Sequence, residues 1–390
     1  MENMNNNKTI NQGMCPRVSI VIINWNNWRD TLECLKSVFK INYSSFQIVL
    51  VDNDSSDDSI NKIKDFSQHI PVGIAEFDEK EIGRAEVNGT DSIKEDPESD
   101  FSKKLILIKN HENYGFAGGN NIGMDFALEY LNSDYILLLN NDTTVDEYFL
   151  DELLKLAGND ESVGSAQPVL LNDSGETIDS LGQECYWWGA EDICMGSPLK
   201  NSISPNNTVN GINGIINDME IFGSCAAAAL YPREVLKKTG LFDEDFFVEL
   251  EDVDLSWKIR LCGYKSFLAG KSLVYHKRGV SGSISSPDLI KGMKKDSMVL
   301  KWHRQSKNWL IIVLRYYPRS VIARAVLRYP HKVFFTFFRL IYSCIWLKKT
   351  KETFKILNYN LKSRKKLKHN PRWDEVWRKW IKKSPRKCAK

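Results

Sequence analysis

No Cys-x-x-Cys pair occurs among the eight cysteines, Cys15, Cys34, Cys185, Cys194, Cys225, Cys262, Cys344 and Cys388, and no spacing resembles a zinc site. Reduced thiols in a cytosolic setting are the expectation. Residues 1–13 are polar and Asn-rich without the apolar core of a secretory signal, so 1–15 is read as a loose tail. Full-length hydrophobic spans are missing as well: the longest aromatic and aliphatic run, 333–347, is short and is interrupted by Arg339. No glycine loop leads into Gly-Lys-Ser/Thr, and none has the Gly-x-Gly-x-x-Gly spacing, which excludes a Walker loop and a dinucleotide fingerprint. Nor is there a convincing Ser-His-Asp or Cys-His arrangement for covalent catalysis.

What is present is enough apolar material for a sizeable core, 42% of 390 residues, and a divided charge. The net charge of +3 hides 29 Lys and Arg against 4 Asp and Glu in residues 291–390, so the remainder is strongly acidic. The two parts are expected to face different partners.

The chain is organised around Tyr135-Ile136-Leu137-Leu138-Leu139-Asn140-Asn141-Asp142. An apolar run opening into amides and a carboxylate reads as a buried strand delivering polar groups at its carboxyl end, the edge where open α/β sheets bind ligands. Asp142 offers anionic oxygen to a hard divalent cation, with Asn140 two residues back on the same side; the alternative is a polar turn capping a helix. Two earlier runs repeat the pattern. Residues 18–23 end at Asn24-Trp25-Asn26-Asn27 before helical spacing through Leu32, Leu35 and Val38, and 46–51 end at Asp52-Asn53-Asp54-Ser55-Ser56-Asp57. Asp52 or Asp54 can accept hydrogen bonds from a nucleobase or ribose, or Ser55, Ser56 or Asp57 can simply cap a helix over 60–66.

Residues 73–104 lack a period and read as a surface insertion. After a strand at 105–108, Gly115, Gly118, Gly119 and Gly123 allow close backbone approach to a ligand, and Asn120 and Asn121 offer donors. Residues 163–171 read as a strand, and 175–217 as turn-rich, with Tyr186, Trp187 and Trp188 packing or shaping a pocket. Small residues at 223–230 suggest a segment packed tightly beneath the site. Glu251, Asp252 and Asp254 open a helix that stops at Gly263; they suit its dipole, and in aromatic surroundings one of them suits a general base. His276 ends an apolar stretch, a position that is structural unless other ligands converge on it.

In this order, 18–26, 51–57, 113–123, 137–142, 240–263 and His276 resemble the inverting glycosyltransferases of family 2, particularly the rhamnosyltransferase-like branch. The resemblance implies an α/β fold of the GT-A type, a mixed sheet flanked by helices over 16–290, using a nucleotide-diphospho sugar and Mg²⁺ or Mn²⁺. Asp142 matches the last carboxylate of the family's Asp-x-Asp motif and His276 a histidine that completes the metal shell in relatives; Asn140 departs from the motif. Asn24, Asp52 and Asp54 match nucleoside-side positions, with Gly118, Gly119, Asn120, Asn140 and Asn141 lining the donor site, and Asp252 matches the base, with Glu251 and Asp254 as rivals. A single displacement then inverts the anomeric carbon while a cation neutralises the leaving diphosphate.

The basic, aromatic-rich 291–390 region reads as helical. Residues 333–347 suit an amphipathic helix in the interface of an anionic membrane, on the cytoplasmic side, or else a helix packing its aromatics on the catalytic domain. Nucleic acid is not an expected partner, since no recognition motif accompanies the charge. Gln305-Ser306-Lys307-Asn308-Trp309 misses the Arg of the Gln-x-x-Arg-Trp motif of processive synthases, so transfer of one sugar to a glycan or lipid-linked glycan is implied. Two other readings compete: a sugar nucleotidyltransferase, and a catalytically silent module that docks glycan enzymes at the membrane.

Overall fold

The structure, a computed structural model, describes residues 15–70, 73–80, 82, 104–186, 189–199, 216–278, 295–367 and 370–382. The expectations for the N-terminal tail, Trp187, Trp188 and most of the 73–104 insertion lie outside these residues.

The β-branched runs form the strands they predict. Strands β1 (Val18–Asn24), β2 (Phe46–Asp52), β4 (Leu105–Lys109) and β5 (Tyr135–Leu139) are parallel neighbours in the order β5-β1-β2-β4. Nearly every residue in them is buried, as expected of strands covered on both faces. Strand β3 (Ile74–Asp78) adds to the β4 edge in parallel, so the stretch read as an insertion without period opens with an edge strand. Helix α1 (Trp28–Val38) packs beside α2 (Ser59–Ser67), and α3 (Gly115–Glu129) lies across β1 and β2 on the opposite layer.

Beyond β5 the sheet changes sense. Strand β12 (Ala228–Pro232) runs antiparallel to β5 and to β7 (Val163–Asn172), which pairs in parallel with β13 (Lys265–His276). The short strand β6 (Thr143–Val145) pairs with the end of β13, while β8 (Ile178–Ser180) pairs with β7 and β11 (Met219–Ile221) with β13. Helices α4 (Phe149–Gly158), α5 (Arg233–Thr239) and α6 (Glu251–Leu261) complete this part.

The C-terminal region is helical: α7 (Lys295–Tyr316), α8 (Arg319–Arg328), α9 (Pro330–Trp346), α10 (Thr350–Leu367) and α11 (Trp373–Trp380). Its first and last helices share a core with α6. Trp257 stacks on Tyr316 at 4.8 Å and 5°, Tyr317 meets Trp377 edge-on at 4.9 Å, and the Trp377 indole donates to the Tyr316 carbonyl at 2.6 Å. Residues Ile381–Lys382 form β14, pairing with β9 (Gln183–Tyr186), which also pairs with β10 (Gly189–Asp192). Aromatics of the tail therefore do pack on the catalytic part. Helix α9 is different: Phe334, Phe338, Tyr342 and Trp346 stack at i, i+4 spacing with centroids 6.3, 6.2 and 6.0 Å apart, and Phe334 and Ile345 remain 65% and 69% exposed. No helix among the described residues is long and apolar enough to cross a membrane. Six described cysteines, Cys15, Cys34, Cys185, Cys225, Cys262 and Cys344, are free thiols; Cys194 is disulfide-bonded, against the expectation of reduced thiols throughout.

Candidate functional site

The parallel register sets Asn24 beside Asp52 at adjacent strand ends. The Asn24 amide donates to Asp52 Oδ1 at 2.7 Å and to Ser55 Oγ at 3.1 Å, while Thr31 donates to Asn24 Oδ1 at 2.8 Å. Ser55 gives its hydroxyl to Asp52 Oδ1 at 2.7 Å and its backbone N–H to Oδ2 at 3.0 Å. Ser55 thus holds Asp52 rather than capping α2, whose first N–H, that of Ser59, is met by Asp57 at 3.0 Å. Asp54 projects from this turn, exposed, at φ +63°. The result is a polar rim fixed by neutral donors, with one carboxylate free to turn outward.

Four residues expected at the donor site, Gly118, Gly119, Asn120 and Asn141, have other work. Gly118 and Gly119 lie inside α3, and a Cβ on Gly119 would come within 2.2 Å of Ile23 Cδ1 and 3.2 Å of the Asn53 amide. Gly119 lets helix and sheet approach, whereas a Cβ on Gly118 would meet Tyr114 Cβ at 2.8 Å; the close approaches are to the protein's own residues, against their assignment to a ligand. Asn120 is buried and its amide returns to the Phe116 carbonyl at 2.8 Å, a bond within the helix. Asn121 ties the helix to the 242–244 segment through Phe242 and Glu244, and Asn141 donates to Thr31 at 2.9 Å. Asn53, which sequence reasoning passed over, binds Asn110, Asn113, Tyr114 and Gly115 and so builds the turn that starts α3.

The second cluster forms where β5 ends. Pairing of β6 with β13 sets His276 opposite Thr143, which brings its Nε2 to 3.1 Å from Asp142 Oδ1 and 3.4 Å from the Asn140 amide nitrogen. Its Nδ1 lies 2.8 Å from Asp179 Oδ2 on β8, and Asp179 is held in turn by Arg278, which also reaches Asp192 at 3.4 Å. Burial alone would lower the imidazole pKa, but hydrogen bonds and charge from Asp142 and Asp179 outweigh it and raise it to about 9. Asn140 Oδ1 is buried with no partner. Among the described residues no group of three or more His, Cys, Asp or Glu gathers so as to hold a metal ion alone. Asp179 carried no sequence signal, because it meets His276 only through the pairing of β7 with β8 and β13, and Asp192 joins the cluster through Arg278 and Ser180.

The third cluster is carboxylate. Asp252 accepts from Ala226 N at 3.1 Å and Val253 N at 2.8 Å, while the next carbonyl, that of Ala227, receives the Asn140 N–H at 2.9 Å. The small-residue segment therefore links the two clusters, accepting from Asn140 and donating to Asp252. Asp252 is partly exposed; burial raises its pKa even though these N–H groups pull it down. The two rivals are corrected by their surroundings. Asp254 is fully buried, 2.6 Å from Arg315 and 3.0 Å from Lys258, and accepts from Tyr316 at 2.8 Å, so it anchors the C-terminal helices. Glu251 is 5% exposed with its Oε2 buried, out of reach of an acceptor, and burial together with the Asp252 charge pushes its carboxyl well above the usual range.

The approach to α6 is strained. Phe247, Glu249 and Leu250 all have positive φ, 65°, 72° and 72°. At Phe247, ψ is −58° and Val248 N bonds back to the Phe246 carbonyl at 2.8 Å, a γ-turn of the rare φ-positive kind. Such conformations cost about 1–3 kcal/mol each and persist where the surroundings over-determine them.

A parallel half-sheet with a polar rim at its carboxyl ends, continued by an antiparallel half that carries two further polar clusters, is a fold of the GT-A class. The chain belongs to glycosyltransferase family 2: the Glycosyl transferase family 2 profile matches residues 19–86 and 88–240. It is 20% identical over 252 residues to the low-salt glycan biosynthesis hexosyltransferase Agl10 of Haloferax volcanii, a match covering 64% of each chain, so the chain spans less than two thirds of that curated relative. Among solved structures it is similar to GalNAc-T7 with UDP, GalNAc and Mn²⁺, at a TM-score of 0.50 and 16% identity, over 78% of this chain and 48% of that one. A mannosyltransferase from Pyrobaculum calidifontis in complex with GDP-Man and Mn²⁺ aligns over 94% of this chain and 89% of its own, at a TM-score of 0.48 and 14% identity.

Proposed function

We propose that the chain transfers one hexose, with inversion, from a nucleotide-diphospho sugar to a hydroxyl of a glycan or lipid-linked glycan in the assembly of a cell-surface polysaccharide. The observation that carries this reading is that one short segment, Ala226–Ala227, bonds both to Asp252 and to Asn140, and so ties the carboxylate to the strand end that bears the Asp142–His276 pair. The branch that the sequence resembles implies rhamnose as the sugar, and the hexosyltransferase relative supports a hexose.

The residues at 140, 142 and 276 suit a divalent cation. Asn140 Oδ1 is a buried oxygen in want of a partner, Asp142 supplies an anionic oxygen, and the carboxylate of Asp179 behind Nδ1 is the outer-shell arrangement that fixes a ligating imidazole. Bound there, Mg²⁺ or Mn²⁺ supplies neutralisation of the departing nucleoside diphosphate. No third His, Cys, Asp or Glu joins Asp142 and His276 as a ligand among the described residues, so a cation held there would also draw on the Asn140 oxygen and on the diphosphate of the donor. Asn24, Asp52 and Asp54 rim the nucleoside side. Asp252 takes the proton of the acceptor hydroxyl as the oxygen attacks; the raised pKa of its carboxylate improves it as a base near neutral pH.

The exposed face of α9, bordered by the Lys and Arg of the C-terminal region, supports a peripheral position on an anionic membrane at its cytoplasmic side. The assay that tests the catalytic reading is transfer from nucleotide sugars by wild type and Asp252→Asn, with donor binding measured in parallel. Turnover is expected to fall about 10²-fold or more with donor affinity kept. Near-normal turnover in the variant would overturn the assignment.

A further inference from the structure

The segment Gln305-Ser306-Lys307-Asn308-Trp309 has the spacing of a synthase motif with Asn in place of its Arg, and on α7 it lies against the strained approach to α6. Asn308 is fully buried. Its amide nitrogen is 3.0 Å from the Phe246 carbonyl oxygen, 2.8 Å from that of Val248 and 2.7 Å from that of Glu249. Two N–H bonds thus serve three acceptors, and the acceptors fix the orientation of the amide: turned round, its oxygen would face three carbonyl oxygens.

Those carbonyls belong to the stretch in which Phe247, Glu249 and Leu250 hold positive φ, and the stretch runs directly into Glu251 and Asp252. Leu250, the residue before the helix, provides no side-chain cap, so the direction of the first turn is set by this backbone. Neighbours on α7 grip the same segment. The Lys307 ammonium donates to the Asp245 carbonyl, the Arg304 guanidinium lies 4.3 Å over the Phe247 ring, and Arg315 pairs with Asp243 before the segment and Asp254 after it. From the other side Ala117 N donates to the Phe247 carbonyl at 3.0 Å.

We propose that Asn308 is a positioning residue: by binding the 246–249 carbonyls it holds the strained segment in the conformation that aims Asp252 at the acceptor hydroxyl. Part of the catalytic apparatus then resides in the C-terminal helical region. This inference rests on Asp252 as the base.

The test compares wild type, Asn308→Ala, Asn308→Ser and Asp252→Asn in the full chain, measuring kcat, the KM of donor and acceptor, and thermal unfolding. A base displaced by about an ångström loses about 10- to 100-fold in rate, so kcat is expected to fall by that factor in Asn308→Ala with donor KM unchanged. Asn308→Ser keeps one short donor and is expected to fall between the two; it carries the test if the alanine variant does not fold. A folded Asn308→Ser enzyme with wild-type kcat, or a loss confined to KM, overturns the proposal. Wild-type turnover in Asp252→Asn would instead sink the base assignment, whereas loss in Asp252→Asn beside full turnover in both Asn308 variants sinks only the positioning role.

Discussion

Arg315 on α7 and Asp254 on α6 meet at 2.6 Å, the carboxylate wholly buried and the guanidinium nearly so. A buried pair broken by removing one partner leaves an uncompensated charge, which costs about 3–5 kcal/mol. Lys258 and Tyr316 still serve Asp254, so Arg315→Ala is expected at the lower end of that range in denaturant unfolding. A loss under about 0.5 kcal/mol, the size of a surface substitution, would show that the C-terminal helices are not anchored through this pair.

The same carboxylate makes stability depend on pH. Burial pushes the Asp254 pKa up, but Lys258 and Arg315 outweigh it and hold it below the ordinary value of 3.8. A folded-state pKa lower than the unfolded one contributes stability that is present above the unfolded value and is lost as pH falls through the folded one. Unfolding temperatures measured from pH 6 downward are expected to drop below about pH 4, and less steeply in Asp254→Asn than in wild type.

Glu251 has the opposite sign. Its folded-state pKa is raised, so its contribution is present below the unfolded value and is lost as pH rises towards the folded one. Glu251→Gln, an uncharged isostere, is expected to raise the unfolding temperature near pH 8 and to leave turnover within about threefold, unlike Asp252→Asn. Turnover lost equally in both variants would restore Glu251 as a rival base.

Much of the fold was legible because buried parallel strands advertise themselves. The runs ending at Asn24, Asp52 and Asn140 are apolar apart from Ser19 and Gln47, and each became a strand at or within a residue of its expected bounds. His276 and Asp142 were named from sequence and meet in space. Asp179 and Arg278 were not, since their proximity comes from long-range strand pairing that no local spacing encodes. Gly118 and Gly119 misled because glycine permits close approach without saying to what; here it is to Tyr114 and to Ile23. Asp254 misled for a similar reason, since a first-turn acid looks the same in sequence whether it faces a cleft or Arg315.

The α9 face predicts a physical property of the whole chain. Sedimentation with vesicles containing anionic phospholipid is expected to recover the protein, with less recovered on neutral vesicles or at high salt. Phe338→Ser with Ile345→Ser removes exposed apolar side chains and is expected to weaken binding about tenfold or more without lowering the unfolding temperature. Equal recovery of this variant would move the membrane contact elsewhere.

The central claim, a donor site completed by a divalent cation at Asp142 and His276, is tested most directly by calorimetry of UDP, GDP and dTDP with and without Mn²⁺, on wild type and Asp142→Ala. One nucleotide is expected to bind wild type only with Mn²⁺, and Asp142→Ala to lose this binding. Metal-independent binding unchanged in the variant, or no binding of any nucleotide under either condition, would contradict it.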